Sequence, residues 1–190
     1  MEIKRCAWCG DDPLYQHYHD TDWGVPVHDD QLLFEFLLLE TFQAGLSWIT
    51  ILRKRENFRR SFDGFNVATI ANYSEAKKEE LRQDAGIIRN RLKIKSAVNN
   101  AQHFLRIQRT HGSFDNYIWS FVDHQPIMNT WRSMSEVPAS THLSDHISKS
   151  LKKEGFSFVG TTVIYAFMQA IGMVNDHVVD CFRYNELTKT

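Results

Sequence analysis

The sequence predicts an all-α protein, and three observations lead to that expectation. Apolar side chains recur every three to four residues along most of the 190-residue chain, which is the period of an amphipathic helix. A sustained alternation of apolar and polar residues, which would indicate strands, is absent from the sequence. Several periodic segments begin at Ser or Asp and end at Gly, the residues preferred at helix starts and stops.

Six helical segments follow from this pattern in chain order. The first and the last are apolar nearly all round, which predicts buried helices. The second begins at Ser47 and becomes basic on its outer face. The third begins at a Ser cap and ends at Gly86, the fourth carries one apolar stripe, and the fifth repeats the design of the third. The segments are 29–42, 47–62, 74–86, 90–111, 144–155 and 160–172.

The third and fourth segments, with the tight turn between them, predict a helix–hairpin–helix unit. Gly86 allows a sharp turn and a close approach to another molecule. The start of the following helix offers unpaired N–H groups and a positive dipole end, which suit a phosphate. Most helix pairs joined through a Gly only pack together, so this pattern by itself is weak. Four basic residues surround the turn: Arg89, Arg91, Lys93 and Lys95.

Length and composition predict one domain or two small lobes with a real core, because 43% of the residues are hydrophobic. The N-terminal residues lack the apolar run of a signal peptide, and no window approaches the ~18 apolar residues that span a bilayer. We therefore expect a soluble, cytoplasmic protein with no membrane partner. The three cysteines are an odd number, so a metal site is favoured over a disulfide framework.

The net charge of −1 conceals an uneven distribution. Residues 1–50 carry a net charge of −7, residues 51–110 carry +8, and residues 111–190 carry −2. A basic block between acidic flanks suggests an anionic partner for the middle third of the chain. A solvated helical surface would show the same pattern, and charge alone favours the two explanations equally.

Cysteine and histidine residues gather at both ends of the chain. His177 and Cys181 are four residues apart, a spacing that puts two side chains on one helix face, where they can hold one ion. A structural zinc site takes four ligands, usually thiolates and imidazoles, so two more from the N-terminal end would complete it. Spacing leaves that choice open, and surface histidines with a buried cysteine are the alternative without metal. The N-terminal candidates are Cys6, Cys9, His17 and His19.

Aromatic residues are dense near the N-terminus, and a carboxylate is expected close to them. Glu40 ends a helix that is apolar on every side, where a buried carboxylate is unfavourable unless it is paired or functional. Flat rings, an acidic acceptor and a nearby basic surface predict a nucleobase pocket, and the Gly45-Leu46 bend offers an apolar wedge for a base stack. An aromatic core with a salt-bridged glutamate is the alternative. The rings belong to Trp8, Tyr15, Tyr18, Trp23 and Trp48.

Motifs of several other chemistries are absent from the sequence. It contains no phosphate loop, no dinucleotide fingerprint, no H-E-x-x-H and no G-x-S-x-G. Nucleotide hydrolysis, NAD chemistry, zinc proteolysis and serine hydrolysis are therefore poorly supported.

Six stretches, in this order, carry a family resemblance: YHDTDWGVP, QAGLSWITILRKRENFR, DAGIIRNRLKI, WSFVDHQP, GFSFVGTT and NDHVVDC. Together they resemble the DNA-3-methyladenine glycosylase I family of bacterial alkylation-repair enzymes, from about Cys6 to Cys181. The resemblance implies a helix–hairpin–helix glycosylase fold, a base flipped out of double-stranded DNA that carries alkylated bases, and a structural zinc ion that joins the two ends.

The resemblance also implies roles for individual residues. Cys9 departs from the family pattern, and a zinc site that used it instead of Cys6 would have an altered geometry. Glu40 would be the catalytic residue. The zinc ligands would be Cys6, His19, His177 and Cys181. The base-binding residues would be Trp8, Tyr15, Tyr18, Trp23 and Trp48. DNA would be contacted by Gly45, Leu46, Gly86, Arg89, Arg91 and Lys93.

The expected activity is monofunctional excision of 3-methyladenine by hydrolysis, which leaves an abasic site. The expected domain spans residues 1–190 of a monomer, with a helix–hairpin–helix lobe over roughly 47–130 and a zinc-clipped lobe from the two termini. A zinc-clipped DNA-binding module without catalysis and a zinc hydrolase with an open metal position are the two rival functions. The preference for 3-methyladenine over 3-methylguanine is left open.

Overall fold

The computed structural model describes residues 3–188, and α-helices dominate that part of the chain. The ends of the predicted 1–190 domain, residues 1–2 and 189–190, lie outside the described residues. None of the described helices combines the length and the apolarity needed to cross a membrane. The helices are α1 (Pro13–Thr21), α2 (Asp30–Gln43), α3 (Trp48–Leu52), α4 (Arg55–Ser61), α5 (Val67–Ala71), α6 (Glu75–Gln83), α7 (Arg91–His111), α8 (Phe114–Trp119), α9 (His142–Lys153), α10 (Thr161–Ala170) and α11 (Phe182–Leu187).

Helix α2 forms the centre of the core. All of its residues from 33 to 42 are buried, and it packs against α3, α7, α8 and α10. Asp29 starts the helix, because its carboxylate accepts the N–H of Leu32 at 2.9 Å. The prediction of a helix buried on every side is confirmed for this segment.

Most predicted helices are confirmed within two residues at each end, namely those at 29–42, 90–111, 144–155 and 160–172. The third ends at Gln83, three residues before Gly86. The single helix predicted over 47–62 is wrong, since the chain breaks at Arg53 and Lys54 into α3 and α4.

Two side-chain contacts to other parts of the fold are found at that break, which no Gly or Pro announces. The Arg53 guanidinium binds the Asp12 carboxylate at 2.7 Å. The adjacent Lys54 ammonium instead donates to the carbonyl of Ala85 at 3.1 Å, in the turn between α6 and α7. The two residues therefore tie α1 and the hairpin turn to the same corner, and a continuous helix is not formed.

The strictly all-α prediction requires a small correction. Strands β1 (Ile127–Met128) and β2 (Val174–Asn175) form a parallel ladder, with Ile127 opposite Val174 and Met128 opposite Asn175. Two residues are too few to show an alternating pattern, so the sequence carries no signal for them. The ladder holds the segment after α10 against the segment before α9.

Candidate active site and metal centre

One pocket gathers the predicted base-binding residues. Its cavity has a volume of about 230 Å³ and is partly open to solvent. The predicted residues on its walls are Trp8, Tyr15, Tyr18, Trp23, Glu40 and Trp48. Three separate parts of the chain thus meet here: the N-terminal segment, the last turn of α2 and the first residue of α3.

The local structure of the N-terminal segment determines how its rings are presented. Helix α1 starts at Asp12, whose carboxylate accepts the N–H groups of Leu14 and Tyr15 at 2.9 and 3.2 Å. Tyr15 and Tyr18 are three residues apart on this helix and so share a face. Trp8 lies in the preceding 3₁₀ turn, with its ring centroid 4.9 Å from that of Tyr15 in an edge-on arrangement.

The remaining rings complete an aromatic wall. Trp23 meets Trp8 edge-on at 5.0 Å between centroids, and Tyr18 lies 5.3 Å from Trp48. Edge-on and tilted pairs of this kind are favourable and hold each ring in place. The wall is therefore a pre-formed surface on which a flat ligand can lie.

Among the residues that the structure describes, Glu40 is the only acidic one that lines this pocket. It is 3% exposed, its side chain makes no hydrogen bond within the described chain, and its Oε2 atom is buried without a partner there. Burial raises its pKa from 4.5 to about 8. An unpaired buried carboxyl is unusual, because such groups are normally compensated.

Glu35, on the same helix, shows what compensation looks like. It is equally buried, at 4% exposure, but its carboxylate accepts from Arg55 at 2.6 Å and from Arg59 at 2.7 Å. The chain thus neutralises one buried glutamate of α2 and leaves the other facing an open cavity. Glu40, unlike Glu35, is therefore not part of an ion pair of the core.

The predicted metal ligands meet on the far side of the aromatic wall. Cys6, His19, His177 and Cys181 are all buried and place one ligand atom each within 4.8 Å of one another. His177 and Cys181 do not lie on a helix, which corrects that part of the prediction. They belong to a turn in which the N–H of Cys181 donates to the carbonyl of Val178 at 2.8 Å.

The other two N-terminal candidates lie outside this cluster. His17 is exposed on α1. Cys9 is buried, but its thiol donates to the carbonyl oxygen of Cys6 at 3.2 Å.

The four donors fit a zinc ion in spacing. A tetrahedral ion with bonds of about 2.3 Å to sulfur and 2.0–2.1 Å to nitrogen sets those ligands about 3.5 Å apart. The Cys181 sulfur lies 3.5 Å from both His19 Nε2 and His177 Nδ1, and the Cys6 sulfur lies 3.6 Å from His177 Nδ1.

The hydrogen bonds around the two imidazoles also suit a metal. His19 donates from Nδ1 to Asp20 at 2.8 Å, and His177 donates from Nε2 to the carbonyl of Trp23 at 3.1 Å. Each ring therefore turns its unprotonated nitrogen toward the two sulfurs, as metal-binding histidines do.

The two cysteines face each other as a coupled pair. The pKa of the Cys181 thiol is lowered, chiefly by a hydrogen bond with Cys6, and the pKa of Cys6 is raised by the same contact and by burial. Two thiols this close together are a donor set that a dication can bind as thiolates.

The metal cluster supports the aromatic wall directly. The Trp23 ring packs edge-on against His177, 4.6 Å between centroids, and Trp8 lies 5.3 Å from His19. The tryptophans that line the pocket on one side therefore contact the metal ligands on the other. A change in the cluster is transmitted to the pocket through these rings.

The comparisons with known proteins decide the family. A model of the methyladenine glycosylase family matches residues 8–184. The chain belongs to this family.

Relatives within the methyladenine glycosylase family are similar over nearly the whole chain. DNA-3-methyladenine glycosylase 1 of Escherichia coli strain K12 is 52% identical over 182 residues, which are 96% of this chain and 97% of that protein. A crystal structure of 3-methyladenine DNA glycosylase I superposes with a TM-score of 0.92 at 50% identity, covering 94% of this chain and 98% of that one.

A third relative is a Tyr-to-Phe variant of 3-methyladenine DNA glycosylase I, crystallised in complex with 3-methyladenine. It superposes with a TM-score of 0.92 at 34% identity, and the match covers 95% of this chain and 97% of that one.

In this member of the family, the predicted DNA-contacting residues lie in two adjoining places. Gly45 takes a φ of +82°, a conformation that favours glycine, and the following Leu46 side chain is 40% exposed. Arg89 and Arg91 are exposed at the hairpin turn. The structure thus puts an apolar tip next to a basic turn.

The hairpin turn differs in detail from the sequence-based expectation. Gly86 has no positive φ, but an added Cβ would lie 2.9 Å from Asp84 Oδ1 and 3.2 Å from Asn57 Cβ, so glycine is needed for space. The Asn90 side chain accepts the N–H groups of Leu92 and Lys93, both at 3.0 Å. Two of the helix N–H groups expected to be free for a phosphate are therefore occupied.

Lys93, which the sequence predicts to contact DNA, is turned into the protein in this structure. The residue is 6% exposed, and its ammonium donates to the carbonyls of Phe42 and Ala44, both at 2.7 Å. These carbonyls end helix α2, where a positive charge is favourable. The Lys93 side chain therefore stabilises the backbone immediately before the Gly45-Leu46 bend.

Four pocket residues were missed by the sequence reasoning: Gln43, Met134, Ala166 and Gln169. Gln43 follows Glu40 by one helical turn, and Gln169 is a polar residue in an otherwise apolar helix. Both positions gave a usable signal. Met134 lies in a 3₁₀ turn between β1 and α9, and its place in the pocket follows from tertiary packing alone.

Proposed function

We propose that this protein is a DNA glycosylase that flips 3-methyladenine out of alkylated double-stranded DNA and excises it by hydrolysis, leaving an abasic site. The observation that carries the proposal is the unpaired, buried Glu40 beside an aromatic wall. The choice of base is supported by relatives that are called DNA-3-methyladenine glycosylase, one of which is 52% identical to this chain.

The lesion itself explains why so few catalytic groups are needed. On DNA, 3-methyladenine is a cationic base and already a good leaving group. Water adds its oxygen to the sugar carbon, the bond from that carbon to the base breaks with its electron pair going to the base, and the water proton is released. The pocket has to select and orient the base, and the aromatic faces favour a cation.

Glu40 responds to the charge of the base. In the empty pocket its pKa is about 8, so the carboxyl is mostly protonated at pH 7. A cationic base within contact distance favours the ionised form and lowers that pKa. Glu40 then supplies a negative charge and a hydrogen-bond acceptor, while a neutral base gains less.

The absence of strand cleavage follows from the residues that line the pocket. No lysine is among the described residues on its walls, and the nearby Lys93 ammonium is held by the two carbonyls that end α2. The described pocket residues therefore offer no amine that could form an imine with the sugar. We therefore expect a monofunctional enzyme.

DNA would be held at the pocket mouth by the two adjoining surfaces. Leu46 would fill the gap left by the flipped nucleotide, with Gly45 giving the bend its shape. Gly86 would allow a close approach of the hairpin to the backbone, and Arg89 and Arg91 would neutralise phosphates. These features favour the helix–hairpin–helix lobe over roughly 47–130 and a second lobe built from the two termini.

The metal site would hold zinc and be structural. The ligands would be Cys6, His19, His177 and Cys181, and the ion would supply a fixed link between the two ends of the chain. Four protein ligands leave no open position for a substrate, which argues against a zinc hydrolase. Pocket and metal site are complete within one chain, so we propose a monomer that acts in the cytoplasm, where bacterial DNA lies.

The test is release of free 3-methyladenine from a methylated duplex, followed by chromatography of the bases. The wild-type protein should release the base and leave alkali-labile sites, and Glu40→Gln should release it much more slowly. A DNA-binding module would bind the duplex and release nothing. Full activity in the Glu40 variant would contradict its catalytic role.

A further inference from the structure

A buried carboxylate outside the aromatic wall organises another part of the pocket lining. Asp176 is fully buried, immediately before the metal ligand His177. Its Oδ1 atom accepts from Asn129 Nδ2 and from Trp131 Nε1, both at 2.7 Å. Its Oδ2 atom accepts from the Tyr165 hydroxyl at 2.6 Å and from Gln169 Nε2 at 2.8 Å.

This arrangement fixes the orientation of one pocket side chain. Gln169 lines the pocket, and its amide nitrogen is the end that Asp176 binds. A carboxylate surrounded by four donors can only accept, so the opposite flip, with the Gln169 oxygen facing Asp176, is disfavoured. The Gln169 Oε1 atom has no hydrogen-bond partner among the described side chains and remains as an acceptor for a ligand.

A fixed acceptor that faces carbon 6 of the base distinguishes the two purines. Adenine carries an exocyclic amine there, which donates, and guanine carries a carbonyl, which only accepts. An ionised Glu40 would also accept from the amine, and Gln169 adds a second acceptor whose orientation does not depend on a proton. Gln169 cannot rotate to donate unless it gives up its bond to Asp176.

We propose that Gln169 is a specificity-determining residue, oriented by Asp176 as a positioning residue, and that this pair makes the pocket prefer 3-methyladenine over 3-methylguanine. The inference rests on the proposed function and names the discrimination within it. A site whose buried polar group pairs with one base rejects an analogue that leaves that buried group without a hydrogen-bond partner.

The decisive variant is Gln169→Met, which keeps the length of the side chain and removes the acceptor. Both bases are released from one methylated duplex, and the ratio of the two release rates is measured. We expect the ratio to fall about tenfold relative to wild type, the effect of one lost or mismatched hydrogen bond. Asp176→Asn should shift the ratio in the same direction, because its amide lets Gln169 turn round.

Asn129→Ala is the matched control. It removes one hydrogen bond from the other oxygen of Asp176 and leaves the bond to Gln169 in place. We expect lower stability with the wild-type ratio. A wild-type ratio in Gln169→Met overturns the proposal, whether or not Asp176→Asn folds. A change of ratio in Asn129→Ala as large as in Asp176→Asn overturns the positioning role.

Binding of the free bases, followed by tryptophan fluorescence, separates this proposal from the proposed function. If the wild-type protein releases no base from DNA, the proposed function fails. The ratio of dissociation constants for free 3-methyladenine and free 3-methylguanine still tests the role of Gln169. If the wild-type protein releases the base, but Gln169→Met changes neither the ratio of release rates nor the ratio of dissociation constants, only the present inference fails.

Discussion

Replacing Glu40 by Gln should stabilise the protein while it impairs the reaction. The glutamate is buried at 3% exposure without a hydrogen bond, and its pKa in the folded chain is about 8 instead of 4.5. Between these two values the folded state holds the proton more tightly than the unfolded state. The free energy of unfolding therefore falls as the pH rises from about 4.5 to about 8, and then stays level.

The size of the effect follows from the two pKa values. At 1.36 kcal/mol per pH unit, the raised pKa of Glu40 lowers the free energy of unfolding by about 3 kcal/mol at pH 7 and about 5 kcal/mol at pH 9. At pH 5 the penalty is below about 1 kcal/mol, since this pH lies close to the pKa of 4.5 in the unfolded state. Glutamine carries no charge at any of these pH values, so the variant is free of this dependence.

The measurement is urea unfolding of wild type and Glu40→Gln at pH 5, 7 and 9. Other titrating groups are common to both proteins and cancel in the difference. We expect the stability gap in favour of the variant to widen by about 4 kcal/mol between pH 5 and pH 9. Glu35→Gln is the matched control, because it breaks a buried pair with Arg55 and Arg59 and should destabilise by about 3 kcal/mol.

A stability difference between wild type and Glu40→Gln that does not change with pH would refute the reasoning. It would show that the Glu40 carboxyl finds a partner or water in the folded protein, so that burial does not control its ionisation. The argument that this residue is kept for function at the expense of stability would then lose its basis.

Three further predictions concern the metal and the DNA surface. Cys181→Ser should lower the zinc content and the melting temperature, and at low temperature the folded variant should retain most of the base release. Metal analysis, thermal unfolding and the base-release assay check this. Lys93→Met should weaken binding to a lesion duplex about tenfold and leave binding of free 3-methyladenine unchanged, because it frees the carbonyls of Phe42 and Ala44 below the bend. Leu46→Ala should likewise weaken binding to the lesion duplex and leave binding of free 3-methyladenine unchanged. Unlike Lys93→Met, it should not lower the stability of the protein. Equal losses for both ligands in either variant would place that residue in the pocket and not at the DNA surface.

The features that could be predicted from the sequence are those written in local patterns. The α2 helix has an Asp cap and an unbroken apolar surface, and α7 has an Asn or Gly at each end, so both could be located within two residues. The six predicted pocket residues share a cavity, although their roles stay predictions. Their grouping followed from the density of rings near a carboxylate that ends an apolar helix, and the family resemblance added the roles.

The features that were missed depend on contacts between distant segments. Lys93 belongs to a row of basic residues, and nothing in that row shows that its side chain turns inward to the carbonyls that end α2. The break at Lys54 likewise depends on a carbonyl 31 residues away. A spacing of four also wrongly suggested a helix for His177 and Cys181, because a turn can bring the same two side chains together.

The segment 176–177 shows why the two ends of this chain have to meet. Asp176 points to Gln169 on α10, and His177 packs on Trp23, so neighbouring residues each support a residue that lines the pocket. The aromatic wall is not held by a long helix at this point, since Trp8 lies in a short 3₁₀ turn and Trp23 follows the end of α1. A fixed link between the termini would therefore stabilise this part of the fold, and loss of the metal should lower the melting temperature before it lowers base release.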